Sequence, residues 1–228
     1  MEDVGLGPNG GLLYCYDFLM ENLEFLTEAL EPLTDEYLVV FDMPGQIELY
    51  THAPALPTLV RFLTQPGNID MRLCACYLLE ATFVVDRAKF FAGTLSAMSA
   101  MLMLEVPHIN VLSKMDLVKG TVRRADMERF LAADPDLLLD DPKERAAAAA
   151  EEEDDMKTST SSTTKRPSFH RLNRAVAGLI ESFNMVHYLK LDVRDEDSVG
   201  AILSHVDDCI QFHEAQDPRE PRNDEYDE

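Results

Sequence analysis

The chain has 228 residues, 46% of them apolar, enough for one α/β domain to bury a sizeable core. Its 42 acidic side chains against 20 basic ones leave a formal charge of −22, which repels phosphate backbones and anionic bilayers and so argues against direct nucleic-acid or membrane-surface binding. Glu2 and Asp3 stand where a secretion signal carries positive charge, and the longest uncharged stretch, residues 90–104, is shorter than a bilayer span.

In chain order, a glycine-rich start leads into residues 12–30, where apolar side chains recur at helical spacing opposite Asp17, Glu21, Glu24 and Glu28. Residues 37–41 form an apolar run closed by Asp42-Met43-Pro44-Gly45, which predicts a buried strand ending in a tight turn. A second buried strand is predicted over 73–79, a long apolar helix over 89–104 and a third strand over 108–112, behind Pro107. Residues 122–132 read as a helix, Ser168 as the N-cap of another reaching about residue 183, 185–191 as a fourth strand and 198–212 as a closing helix. Cys74 and Cys76 sit two apart in an apolar run, on one side of a strand. With Cys15 and Cys209 and no C-x-x-C spacing, they are expected to be buried free thiols of a reducing compartment.

Strands alternating with crossover helices predict a mostly parallel sheet covered on both faces, with ligands at the carboxyl ends of its strands. Residues 1–139 and 168–213 are expected to form one domain. Residues 140–167, with their alanines, acids and Ser/Thr cluster, read as a disordered insertion, and 214–228 as an acidic tail. The sequence contains no internal repeat. The methionines of 89–104 read as core rather than as an interface stripe.

Three short strings carry chemistry. Asp42-Met43-Pro44-Gly45-Gln46 follows a predicted strand: an Asp there can hold Mg²⁺ or its water shell, a Gly lets its N–H approach a phosphate oxygen, and a Gln can orient water. The same residues also make an ordinary turn. Ser113-Lys114-Met115-Asp116 closes the third strand and resembles the guanine-reading loop N/T-K-x-D, in which a carboxylate can accept the ring N–H and exocyclic amine of guanine while the Lys stem would cover the base. Alone, that string reads first as the start of a solvated helix. Gly7-Pro8-Asn9-Gly10-Gly11, immediately before the first helix, alone reads as a flexible lead-in.

Taken in this order, and with residues 42–52 and 93–100, the three strings resemble the GPN-loop GTPases, in particular the third of the eukaryotic paralogues, over nearly all of the chain outside the insertion and tail. The resemblance implies a P-loop NTPase-like α/β fold, with a parallel sheet flanked by helices, and GTP/GDP with Mg²⁺ as cofactors. It makes Asp42 the metal-linked acid, Gly45 the phosphate sensor and Gln46 a water-positioning residue, with Lys114 and Asp116 as the guanine readers. The loop at Asp192 would close over the base. In the Gly7, Pro8, Asn9 loop, Asn9 would reach in trans into a partner's phosphate site. His52 belongs to the same string, although a packed or capping histidine is the commoner role.

The family also implies a partner, either a GPN-loop paralogue in a heterodimer or a second copy. RNA polymerase II subunits or assembly factors are implied as clients, and a cytoplasmic location with shuttling to the nucleus. Family members begin with strands and a G-x-x-G-x-G-K-S/T loop ahead of the Gly-Pro-Asn loop. This sequence has no Gly followed by Lys, only Lys119-Gly120 in reverse order, so it reads as an N-terminally truncated copy from an incomplete gene reading or an alternative start. Its first strands would then be missing, leaving unpaired edges in the middle of the sheet. Two functions follow: a GTP hydrolase whose activity in this form is in question, or a nucleotide-independent interaction subunit that pairs with a paralogue.

Overall fold

A computed structural model describes residues 5, 7–33, 37–46, 54–139, 169–183 and 185–212, and for Pro8, Asn9, Phe169 and His170 the backbone alone. His52, Ser168, the predicted insertion 140–167 and the tail 214–228 lie outside the described residues. Three parallel strands, β1 (Ala75–Glu80), β2 (His108–Ser113) and β3 (Tyr188–Lys190), form a sheet in sequence order. This is the parallel arrangement expected from the alternating pattern, with helices packed around it, and it is consistent with the P-loop NTPase-like fold that the resemblance implies.

The helix α4 (Arg87–Leu104) spans the length of the sheet and anchors the main core. The Asp86 side chain caps its start by accepting from the Lys89 N–H, and Glu105, at φ 55°, ends it in the left-handed region. Gly93 lets α4 lie close on β1, because a Cβ there would stand 2.7 Å from the Leu79 Cδ1. Phe90, fully buried, packs against Phe91, Phe130 and Tyr188 with ring centroids 5.0–5.4 Å apart. Thr94 donates to the Phe90 carbonyl and pairs with the Tyr188 hydroxyl. Met98 is buried in the same core, as its helical position predicted.

Around this core lie α5 (Arg124–Leu131), the short α6 (Asp136–Leu139), α7 (Phe169–Ser182) and, against β2, α8 (Glu196–Cys209). A smaller cluster joins α1 (Pro8–Glu21), α2 (Glu24–Leu30) and α3 (Ala55–Thr64), built on Tyr16, Leu56, Leu59 and Leu63. The single helix predicted over 12–30 is therefore two. Asn22 leaves helical geometry, and its side-chain amide donates to the Phe18 carbonyl in place of a backbone N–H. Conversely, α1 begins earlier than its apolar spacing suggested. Gly7 is its N-cap and Pro8 its first residue, so Gly-Pro-Asn forms the opening turn of the helix.

The main departure is at residues 37–41, predicted as a buried strand but without regular secondary structure here. Tyr37, Leu38 and Val40 are 62%, 54% and 81% exposed, and among the described residues β1 pairs only with β2. A strand is stable only through its ladder, and an apolar run without a neighbour has nothing to pair with. The sheet is thus covered on both faces at β2, whose four central residues are buried, but not at β1. There Tyr77 and Leu79 face α4, while Cys76 and Leu78 point the other way and are exposed. The expected buried thiols are accordingly corrected: Cys15 and Cys76 are exposed, and Cys74 and Cys209 are half-buried.

Replacing Phe90 with Ala should lower unfolding free energy by about 3–5 kcal/mol, since it empties the centre of the core. Phe18→Ala, at a position 58% exposed, should change it by less than about 0.5 kcal/mol. Urea titrations followed by circular dichroism check both, and equal losses would refute this placement of the core.

Candidate functional site

The carboxyl ends of β1 and β2 are set level by their register, which places Glu80 opposite Ser113. The next residue, Lys114, turns at φ 57° and caps a short 3-10 turn, Met115–Val118. That left-handed step swings its side chain back across the strand ends, where Nζ donates to Glu80 Oε2 at 2.8 Å. Thr82 Oγ1 donates to the other carboxylate oxygen at 2.5 Å. The bond from Lys114, and then that from Thr82, holds the Glu80 carboxyl below its ordinary range.

The turn carrying Asp116 is joined to the loop after β3 through its backbone. Met115 N–H donates to the Leu191 carbonyl at 3.1 Å, and Leu191 N–H to the Leu112 carbonyl at 2.8 Å. Asp192, 6% exposed, then accepts from Lys119 Nζ at 2.6 Å and from the Arg194 N–H at 3.1 Å. Its own N–H donates to Ser198 Oγ, which in turn donates to the Lys190 carbonyl. The Lys119 bond first, then the Arg194 N–H, lowers the Asp192 carboxyl, and the same pairing raises the Lys119 ammonium, with a smaller contribution from Asp116. Asp116 is half-buried, and no side-chain hydrogen bond or ion pair holds its carboxylate among the described residues.

Lys114, Asp116 and Asp192 therefore gather at one rim, at the ends of β2 and β3. Asp42 and Gly45 occupy a different place. They line a cleft of about 830 Å³ beside β1, with Leu56, Leu59 and Leu63 of α3, Val206 of α8, Ile210 just past its end, and residues 73–78. Neither Lys114 nor Asp116 lines that cleft, so the two expected halves of a nucleotide site are not joined by one described cavity. Asp42 is exposed and Gln46 half-buried. Gly7, Pro8 and Asn9 open α1, and the Asn9 side chain lies outside the described residues.

The donor set fits a purine base better than a caged metal. A half-buried carboxylate beside a lysine stem, without a side-chain hydrogen bond or ion pair among the described residues, suits a ring N–H and an amine. No group of three or more metal-ligating side chains occurs among the described residues, so Mg²⁺ would depend on Asp42 together with phosphate oxygens and water. Sequence reasoning passed over Glu80 and Lys119. Glu80 carries one signal, as an acid at the carboxyl end of a predicted strand. Lys119 carries none beyond its place in a reversed Gly-Lys pair.

The model of a family described as "Conserved hypothetical ATP binding protein" matches residues 1–212. A GPN-loop GTPase 3 of Gibberella zeae is 68% identical over 231 residues, covering 99% of this chain and 77% of that protein. The GPN-loop GTPase 3 of Aspergillus fumigatus is 60% identical, over 100% of this chain and 76% of its own length. That of Saccharomyces cerevisiae is 48% identical, with the same coverage of each.

The Lys119–Asp192 pair has a defined pH signature. A depressed carboxyl stabilises the fold above the unfolded value near about 4, and that contribution is lost as pH falls through the folded value. Asp192→Asn should therefore lower the melting temperature at pH 7, with the gap from wild type closing as pH falls below the ordinary carboxylate range. Thermal melts across this range decide it, and a gap that persists at low pH would show that the ion pair is not its source.

Proposed function

The chain belongs to the GPN-loop GTPases, by its family match over residues 1–212 and its high-identity relatives, and from that premise we propose that it binds guanine nucleotide through the rim at the ends of β2 and β3. The observation that carries this reading is the Asp116 carboxylate, half-buried, without a side-chain hydrogen bond or ion pair among the described residues, and two residues from Lys114. Asp116 accepts the guanine ring N–H and amine. Adenine, with an unprotonated ring nitrogen at that edge, leaves the carboxylate without its pair of donors. This chemistry favours guanine over the adenine nucleotide named in the family description.

Lys114 lays its stem over the base while Glu80 holds its ammonium, and Asp192, tied by Lys119 and Ser198, fixes the loop beside it. Asp42 would link Mg²⁺, Gly45 would offer its N–H to the terminal phosphate and Gln46 would orient the attacking water, with Asn9 supplied to a partner's site. Bound Mg²⁺ would neutralise charge developing on the phosphates. These residues address base and metal, while the β- and γ-phosphates need a backbone nest and a lysine that no Gly-Lys step of this sequence provides. Hydrolysis by these 228 residues alone is therefore expected to be slow. By family, the reading extends to a heterodimer with a GPN-loop paralogue, acting on RNA polymerase II subunits or assembly factors in assembly and nuclear import, from the cytoplasm.

A nucleotide-independent interaction subunit is the second reading. It is favoured by Tyr14, Phe18 and Phe25, which stand 54%, 58% and 57% exposed on α1 and α2. Calorimetry with GDP and with Asp116→Asn separates the two. The wild-type chain should bind GDP in preference to ADP. Asp116→Asn should weaken GDP by about tenfold or more and gain affinity for xanthosine diphosphate, whose carbonyl replaces the amine. Absence of GDP binding by both this chain and a form carrying a phosphate loop would leave the interaction reading standing.

A further inference from the structure

The wall of the cleft beside β1 carries thiols that nothing in the nucleotide reading uses. Cys74 and Cys76 both line the 830 Å³ cavity. Cys209 closes α8 next to Ile210, another lining residue. Two hydrogen bonds fix the approach of these elements: Arg72 Nη1 donates to the Ile210 carbonyl at 3.1 Å and to the Gln211 carbonyl at 2.9 Å. The chain two residues before Cys74 is thus tied to the chain immediately after Cys209. On the sheet side, Cys74 and Cys76 share the face turned away from α4, toward α8.

We infer that Cys74 and Cys76 on the wall of this cleft, with Cys209 beside it, form a hydroperoxide-sensitive thiol site in which Cys76 reacts first and oxidation ends in a Cys74–Cys209 disulfide. Cys76 is exposed and the cavity is open to a molecule as small as hydrogen peroxide, so access is met. The Cys74 thiol, as hydrogen-bond partner, brings the Cys76 thiol down to about 7, which supplies thiolate near neutral pH. The same bond, then burial and the neighbouring Cys209, pushes the Cys74 thiol up, so Cys74 waits protonated.

The chemistry balances in three steps. The Cys76 thiolate attacks one peroxide oxygen, the O–O bond breaks as an S–O bond forms, and the departing hydroxide takes a proton to become water. Sulfur has then lost two electrons to the peroxide. Next, Cys74 gives up its proton and attacks the Cys76 sulfur; an S–S bond forms, the S–O bond breaks, and the second oxygen leaves as water. Only Ala75 separates the two cysteines, so that disulfide closes a very small ring and is strained. The Cys209 thiolate finally attacks the Cys74 sulfur, releasing the Cys76 thiolate, which takes the proton Cys209 lost. The product ties the entry of β1 to the end of α8.

The test uses the full chain, reduced and then freed of reductant. It is treated with one equivalent of hydrogen peroxide, blocked with N-ethylmaleimide and mapped by mass spectrometry without reduction. A linked Cys74–Cys209 peptide is expected, with Cys76 trapped by dimedone at early times about tenfold faster than Cys15, the exposed cysteine of α1. Cys209→Ser should stop the sequence at Cys74–Cys76, and Cys76→Ser should slow the Cys74–Cys209 link about tenfold. Oxidation of Cys15 as fast as Cys76 in the unaltered chain would overturn the proposal without recourse to any variant. So would a Cys74–Cys209 link formed at an unchanged rate in a Cys76→Ser chain of native circular dichroism.

Discussion

The parallel register of β1 on β2 is the constraint from which the rest of the molecule follows. It sets Glu80 level with Ser113, so the chain leaves both strands at one rim, and Lys114 meets Glu80 within one residue of its own strand end. A slip of one residue would send Leu79 away from Gly93 and turn the alternation of β1 inside out, exposing the residues that now meet α4. The register is pinned from the α4 side, where only a glycine admits the Leu79 side chain and Ser96 pairs with the Tyr77 hydroxyl. Helix packing and site geometry are thus the same fact seen from two faces of one strand.

Because α4 satisfies only one face of β1, the other face and the outer edge are left to weaker company. Residues 38–45, α3 and the end of α8 surround the space there without filling it. That is why Asp42 and Gly45 lie on a cleft wall rather than on the rim with Lys114 and Asp116. A strand at 37–41 would carry Asp42 to the carboxyl end of the sheet, as Lys114 and Asp116 are carried there by β2. Without a ladder the segment has no such rail, and its position is set by the apolar side chains of the α1–α3 cluster, to which Phe41 and Met43 belong.

Much of this was legible in the sequence, and the failures share a cause. Periodicity located β1, β2, α4, α5 and α7 to within a few residues, because each buries a face that its own side chains define. The order of the three short strings is enough to mark the family, but of the four residues expected along one rim, Asp42, Gly45, Lys114 and Asp116, the first two line the cleft instead, and only Lys114 and Asp116 stand together, beside Asp192. Residues 37–41 were misread because an apolar run reports a wish to be buried but not the presence of a neighbour. Asn22 was missed because its competition for the Phe18 carbonyl is a side-chain event inside an otherwise helical pattern. Glu80 gained a role only through register, which joins positions 34 residues apart.

The site divides into a rigid part and a loose part, and the division has a physical origin. At the rim, the Lys119–Asp192 pair and the Ser198 bonds fix the loop after β3, while Met115 and Leu191 are bonded directly. Such preorganisation suits recognition of a flat base, where the ligand only has to present the right edge. The Asp42 side rests on one small apolar cluster and borders a wide cleft, so whatever fills that cleft also sets where Asp42 and Gly45 stand. The rim is therefore fixed by the register of the sheet, whereas Asp42 and Gly45 rest on the small apolar cluster that borders the cleft beside β1. On the proposed reading the two halves of the site are separable: substitutions at Asp116 would act on nucleotide identity, and changes along the cleft on where Asp42 and Gly45 stand.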